Sequence, residues 1–165
     1  MTPLEALRNH VSGAIERGEG KAIIEKPTIL GIVEGDIEMF IDGYITCALW
    51  STVDEDVYKD GEGPDDALDQ RFDRDDLHPD AKARIEEDCR QFIADNRLAL
   101  TEAANRSGYS WERAGHDYWL TRNGHGAGYW DRDELKRNGL GNRLSDACRH
   151  KECYIYVGDD GKLHI

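Results

Sequence analysis

Residues 109–132 read YSWERAGHDYWLTRNGHGAGYWDR. The stretch holds three of the four tryptophans (Trp111, Trp119, Trp130), the tyrosines Tyr118 and Tyr129, and the histidines His116 and His125, with Asp117, Arg122, Asp131 and Arg132 among them. Ser110 is placed to cap a helix on which Trp111, Ala114, Tyr118 and Trp119 fall near one face, and Gly124 can end it in a left-handed conformation. The spacing therefore predicts a helix over 111–122. Beyond it, the glycines between His125 and Trp130 let a loop or short strand pass close to something else. Two readings of the stretch stand side by side. It is the aromatic hinge of a hydrophobic core, or it is a site floor on which His116, Asp117, Arg122, Asn123, His125 and Asp131 converge on a ligand.

As a site, the stretch offers a general base with an orienting carboxylate (His116, Asp117, His125), an anion-binding Arg122, and the amides of Gly124, Gly126 and Gly128 as a cradle for a phosphate or oxyanion. Neighbouring side chains on a helix diverge by about 100°, so His116 and Asp117 are not expected to pair with each other. As core, His116 is a satisfied buried histidine, and Arg122 and Asp131 hydrogen-bond across the loop. The chain has neither a Gly-x-Ser-x-Gly elbow nor a Gly-x-x-x-x-Gly-Lys loop, and no cofactor motif.

Working outward, residues 79–96 read as a helix with Pro79 at its first position, Asp80 in its first turn, and Ile85, Cys89, Phe92 and Ile93 on one stripe. Leu98 and Leu100 are expected to continue that burial up to a break at Ser107-Gly108. Residues 37–52 mix β-branched residues with helical spacing of Ile37, Phe40, Ile41, Tyr44 and Ala48, and the reading chosen is a core helix. After the glycine loop, a helical turn is expected at 131–137 and a short helix around Leu140, Leu144, Ala147 and Cys148. The chain finishes on two β-runs, Tyr154 to Val157 and Lys162 to Ile165, around Gly158-Asp-Asp-Gly161, a hairpin pattern that needs helices or a further sheet to lie on. Residues 22–33 are candidates for that sheet. The expected class is α+β: a mainly helical single domain over 37–165 with a small C-terminal hairpin. Residues 1–36 are read as an appendage, an amphipathic helix at 2–18 (Leu4, Leu7, Val11, Ala14, Ile15) and a linker.

At 165 residues one domain is the expectation. No apolar run approaches the roughly 18 residues needed to span a membrane, and the first twenty residues do not read as a secretory signal. A cytoplasmic setting follows, in which Cys47, Cys89, Cys148 and Cys153 stay reduced, with Cys47 and Cys89 in buried-thiol surroundings. Cys148, His150 and Cys153 lack the second paired half of a zinc site, so no metal is assigned.

The charge is uneven. Residues 54–80 carry twelve acids against Lys59, Arg71 and Arg74, within a net charge of -13 for the whole chain. With Gly61, Gly63 and Pro64 in its middle, the segment reads as a long solvated loop. Such a balance argues against direct nucleic-acid binding, which needs a basic surface. It admits a solubilising loop, or a surface that imitates a phosphate backbone through Asp54, Glu55, Asp56, Asp65, Asp66, Asp69, Asp73, Asp75 and Asp76. The cation-loop spacing of an EF-hand is missing.

YITCALWST at 44–52, DCRQFIADN at 88–96, AGHDYWLTRNGHGAGYWDR at 114–132, LGNRLSDA at 140–147 and YVGDDGKLH at 156–164 together resemble a family of bacteriophage and mobile-element proteins. Residues 9–26 are similar to a leader that precedes various phage proteins. The resemblance covers the chain from about residue 37, supports the helical reading of 37–52, and implies a setting rather than an activity or catalytic residues. The expectation it leads to is a non-enzymatic inhibitor of a host defence system, of anti-CRISPR or antirestriction type, acting in the host cytoplasm. Its partner would be a host nuclease or other nucleic-acid-binding defence protein, reached through the acidic surface. The alternatives are a small enzyme or nucleotide-binding module built on residues 116–131, and a structural or interaction protein with no defence role.

Overall fold

The computed structural model describes residues 31–54 and 67–165. Helix α1 spans Glu34–Ser51, α2 Pro79–Asp95, α3 Arg97–Ala104, α4 Trp111–Arg122 and α5 Leu140–Ala147; the strands β1 (Tyr156–Val157) and β2 (Leu163–His164) close the chain. The class is α+β, mainly helical, with a two-stranded antiparallel sheet at the C-terminus. Short 3-10 turns at Leu68–Gln70, Arg74–Asp76, Tyr129–Asp131, Asp133–Leu135 and Arg137–Gly139 fill the connections. No helix among the described residues is long and apolar enough to cross a membrane.

α1 is a helix despite its β-branched residues because it is buried on most of its circumference: Ile37, Phe40, Ile41, Tyr44, Ile45, Cys47, Ala48 and Leu49 all face protein. Tertiary burial at about 1.5–3 kcal/mol per large side chain outweighs propensity differences of a few tenths. Glu34 and Asp36 in its first turn complement the helix dipole. α1 starts three residues before 37, and Ile32 is already buried in the core, so the domain takes in the last residues assigned to the appendage. The helix expected at 2–18 and most of the linker lie outside the described residues.

α1 packs face to face on α4, and the close approach has a specific cause. A Cβ on Gly43 of α1 would stand 1.9 Å from the Glu112 carbonyl oxygen, and one on Gly115 of α4 would stand 1.8 Å from the Phe40 carbonyl oxygen. The two glycines let the backbones touch reciprocally, so both helices accept the roughly 1 kcal/mol helix penalty of glycine. Phe40, Tyr44, Phe92, Tyr118, Trp119 and Tyr129 form the centre: Phe92 stacks on Tyr118 at 3.9 Å, and Tyr44 meets Trp119 edge-on at 5.2 Å.

α2 begins as the sequence predicts, with Pro79 in its first turn and the His78 ring nitrogen accepting from the Asp80 amide at 3.2 Å. Leu98 departs from expectation. It is largely exposed on α3, and Leu100 alone of the pair is buried, because the turn at Asn96 restarts the helix and rotates its apolar face. The hairpin lies on the start of α2: Leu163 bridges Leu77, and the His78 amide donates to the Leu163 carbonyl at 2.8 Å. Of residues 22–33, proposed as its neighbouring sheet, 22–30 lie outside the described residues, and 31–33 are not part of the two-stranded sheet.

The acidic segment is the largest correction. Residues 67–78 are not a solvated loop, because Leu68 and Leu77 are buried and two 3-10 turns hold the backbone between them. Asp73 and Asp76 form a reciprocal capping box on the second turn. Residues 55–66 lie outside the described residues.

Candidate functional site

The six ligand-site candidates of the central stretch do not converge. Asp117 is fully buried and belongs to one ionic network, whereas Arg122 is 8% exposed and belongs to another on the opposite side of α4.

In the first network, Asp117 accepts from Arg132 Nε at 2.9 and 3.0 Å, from Arg132 Nη2 at 2.5 Å, and from the Tyr109 hydroxyl at 2.9 Å. Burial works against its charge, but the groups of His116, Arg132 and Tyr109 around it prevail and hold its carboxyl below the usual carboxylate range. Burial and the adjacent carboxylate push the Tyr109 phenol up, so it stays a donor. His116 contradicts the expected divergence: its Nδ1 lies 3.6 Å from Asp117 Oδ1. The imidazole folds back along the helix far enough to make an ion-pair distance, though not a hydrogen bond.

In the second network, Arg122 donates to Asp88, to the Tyr44 hydroxyl at 2.9 Å and to the Lys151 carbonyl, and its guanidinium sits 4.8 Å from the centre of the Tyr118 ring. Burial pulls its pKa down, and Tyr44, Tyr118 and Asp88 pull it up by more. Asn123 ties the same segment, accepting from the Cys153 amide at 2.9 Å. Arg122 and Asn123 are thus fasteners that hold residues 151–153 against α4. The expected Arg122–Asp131 bond across the loop is not formed, and Asp131 is exposed.

Of the three glycine amides expected to form a cradle, that of Gly124 is already bonded within the chain. The amides of Gly124 and His125 donate to Thr121 and Leu120 carbonyls, and the Tyr129 amide donates to Thr121 Oγ1 at 3.0 Å. Gly124 has the left-handed φ of 67° expected of a helix stop. A Cβ on Gly128 would stand 2.1 Å from Thr121 Oγ1, so the loop is folded tightly onto the last turn of α4. His125 is exposed, with its ring 6.5 Å from that of Trp119.

Two openings lie beside this stretch: one of about 320 Å³ at the end of α4, lined by Thr121, Arg122, Asn123, Gly124, Arg149 and His150 among others, and a cleft of about 290 Å³ lined by Gly43, Thr46, Ser110, Glu112, Arg113, His116 and Arg132. In this cleft Arg132 is bonded to the buried Asp117 and His116 stands 3.6 Å from it, with the His116 ring 6.1 Å from that of Trp50 at 29°. The arrangement can hold a proton acceptor in place; no nucleophile paired with it is present among these residues. No group of three or more metal-ligating side chains occurs among the described residues. Cys47 and Cys148 are buried thiols pushed up to about 12 by burial.

The acidic candidates divide as well. Asp54 turns inward and pairs with Arg71 at 2.5 Å. Arg74 reaches Asp42 and, at 3.4 Å, Glu38. Both arginines of segment 67–78 are thus spent on acids outside it, and Asp69, Asp73, Asp75 and Asp76 pair with no cation among the described residues. A groove of about 480 Å³ runs beside them, lined by Asp42, Ile45, Thr46, Leu49, Asp69, Phe72, Asp73 and Arg74. Glu55, Asp56, Asp65 and Asp66 lie outside the described residues.

The residues missed from sequence are Arg132, Tyr109, Asp88, Tyr44 and Trp50. A signal for the first existed: Asp117 sits beside Tyr118 and three residues after Ala114 on a buried face, where a carboxylate requires a cationic partner. No family model matches this chain, and no curated protein or solved structure is significantly similar to it.

Proposed function

We propose that the chain is an accessory protein of a bacteriophage or mobile element that inhibits a host defence system without catalysis. It binds a nucleic-acid-binding defence protein, a nuclease of CRISPR or restriction type, through an acidic surface in the host cytoplasm. The observation that carries this reading is the set of four carboxylates, Asp69, Asp73, Asp75 and Asp76, that no cation among the described residues neutralises. Asp73, Asp75 and Asp76 are held by the capped 3-10 turn at Arg74–Asp76, and Asp69 lies in the 3-10 turn at Leu68–Gln70. Next to them in sequence, residues 55–66 add six acids and one lysine. Fixed negative charge of this density speeds encounter with a basic surface and is screened over roughly 10 Å at 0.1 M salt.

The test is a protection assay in cells that carry a CRISPR or restriction system, with Asp69, Asp73, Asp75 and Asp76 changed together to asparagine. Asparagine keeps the capping acceptors, so the fold should survive, as a circular-dichroism melt will verify. Protection should be lost; full protection by the variant would refute the reading.

A second reading, a small enzyme, is favoured by His116 with its Nδ1 facing buried Asp117 and its ring at the wall of a cleft. It requires that His116→Gln abolish function while the four asparagines leave it intact, the opposite pattern.

A further inference from the structure

The outer face of α1 carries a feature that its helical role leaves unexplained. Met39, Asp42, Thr46 and Trp50 recur at three- and four-residue steps, and so share one exposed stripe of α1; Val53 is exposed just beyond the helix end. Met39 and Trp50 on this stripe are 45% and 58% exposed, and Val53 past the helix end is 47% exposed, in a strongly polar protein. Single exposed hydrophobics are ordinary; an aligned set beside a groove marks a contact surface. The groove lined by Ile45, Leu49 and Phe72 flanks the ridge on one side, with Asp69, Asp73 and the Asp42–Arg74 pair also lining it. Thr46 lines this groove and the His116 cleft alike, so the ridge stands between the two.

Resting on the reading above, we propose that this ridge is where the basic partner docks, and that Trp50 is its anchor: an arginine of the partner lies on the exposed indole while neighbouring cations meet Asp69 and Asp73. Tryptophan is the strongest cation–π acceptor among side chains and arginine its commonest partner, as both are in interface hot spots. The indole is pre-positioned, because the His116 ring backs it at 6.1 Å and His116 is itself held beside buried Asp117. Pre-positioning lowers the ordering cost on binding. Charge selects the occupant. A second copy of the chain, a nucleic acid or an anionic lipid surface would each bring negative charge against a protein of net charge -13. A flexible guanidinium-bearing protein surface brings the opposite charge and the planar group that the indole accepts.

The experiment titrates the intact chain, labelled at its indole nitrogens, with nona-arginine and nona-lysine peptides, following the four indole N–H signals and the affinities. The Trp50 signal should move with nona-arginine and move less with nona-lysine. Trp130, also exposed, and buried Trp111 and Trp119 serve as internal references. Trp50→Ala should weaken nona-arginine about two- to five-fold, the size of an exposed cation–π contact, and remove the preference over nona-lysine; Trp50→Phe should keep part of it. The four-asparagine variant should weaken both peptides alike and leave the preference in place. An unmoved Trp50 signal with unchanged affinity in Trp50→Ala overturns the anchor while the acidic surface stands. Equal loss for Trp50→Ala with both peptides also overturns it. If the four asparagines change nothing either, the acidic reading falls with it.

Discussion

Gly115→Ala tests the geometry on which everything else is mounted, the contact between α1 and α4. The new Cβ would stand 1.8 Å from the Phe40 carbonyl oxygen, where real Cβ atoms stay at least 3.0 Å away, so the helices must part by about 1.2 Å. No rotamer relieves it, because the obstacle is backbone on both sides. A gap of 0.5–1 Å already forfeits about a quarter to a half of the dispersion energy of the atoms it separates. Here those include Phe40, Tyr44, Tyr118 and Trp119 at the centre of the core. The cost lies at the upper end of overpacking, about 3 kcal/mol. Alanine recovers about 1 kcal/mol of helix propensity, leaving a net loss of about 2 kcal/mol. That corresponds to a Tm lowered by about 4–8 °C in a chain of this size. Urea and thermal melts read by circular dichroism and tryptophan fluorescence will measure it. Gly35→Ala is the control of opposite sign: nothing lies within 4 Å of a Cβ there, and the change should stabilise by up to about 1 kcal/mol. Gly43→Ala combined with Gly115→Ala should cost less than the two separately, since helices parted for one alanine have made room for the other. A Gly115→Ala protein as stable as its parent, or more so, would refute backbone contact at the crossing.

Asp117→Asn removes the negative charge of a buried ion pair and should cost about 3 kcal/mol in urea melts at pH 7. The Asp117 pKa is lowered in the folded state, so the wild-type advantage is complete well above the ordinary value of 3.8 and fades as pH falls below it; melts from pH 7 to pH 2 should show the two proteins converge. Arg122→Met should cost about 2–3 kcal/mol through the loosened 151–153 segment and the lost ring contact, and Arg122→Lys should restore little, since an ammonium cannot bridge Asp88, Tyr44 and a carbonyl in one plane. Ser110→Ala should cost about 1 kcal/mol as a lost cap of α4. Iodoacetamide at pH 8 should leave Cys47, Cys89 and Cys148 unmodified in the folded protein, with Cys153 the first thiol to react, as peptide mass mapping will show.

Elements with local signals were legible in the sequence. Ser110, Pro79 and Gly124 mark boundaries through caps and backbone preference, and those boundaries hold to the residue. The hairpin around Gly158 and Gly161 is legible for the same reason. Segment 67–78 was not, since charge counting swamps two leucines, and it is Leu68 and Leu77 that fix its path. Gly43 and Gly115 were silent too: a mid-helix glycine is a local penalty in sequence, and its reason appears only when a second helix arrives.

The ligand-site reading of the central stretch could have been tested against helical geometry alone. Asp117 and Arg122 are five residues apart, so they leave α4 about 140° from one another and cannot grip one small molecule. Each must find a partner on its own side, and both are buried, so each partner must carry opposite charge. Arg132 answers the first requirement and Asp88 the second. The costly residues of the stretch are therefore consumed in joining α4 to the loop, to α2 and to the 151–153 segment. Of the polar side chains on this helix, Glu112 is exposed and Arg113 and His116 are half-buried, His116 beside Trp50, so the side chains of α4 that reach solvent lie on the side of the proposed α1 ridge rather than among the buried ionic partners.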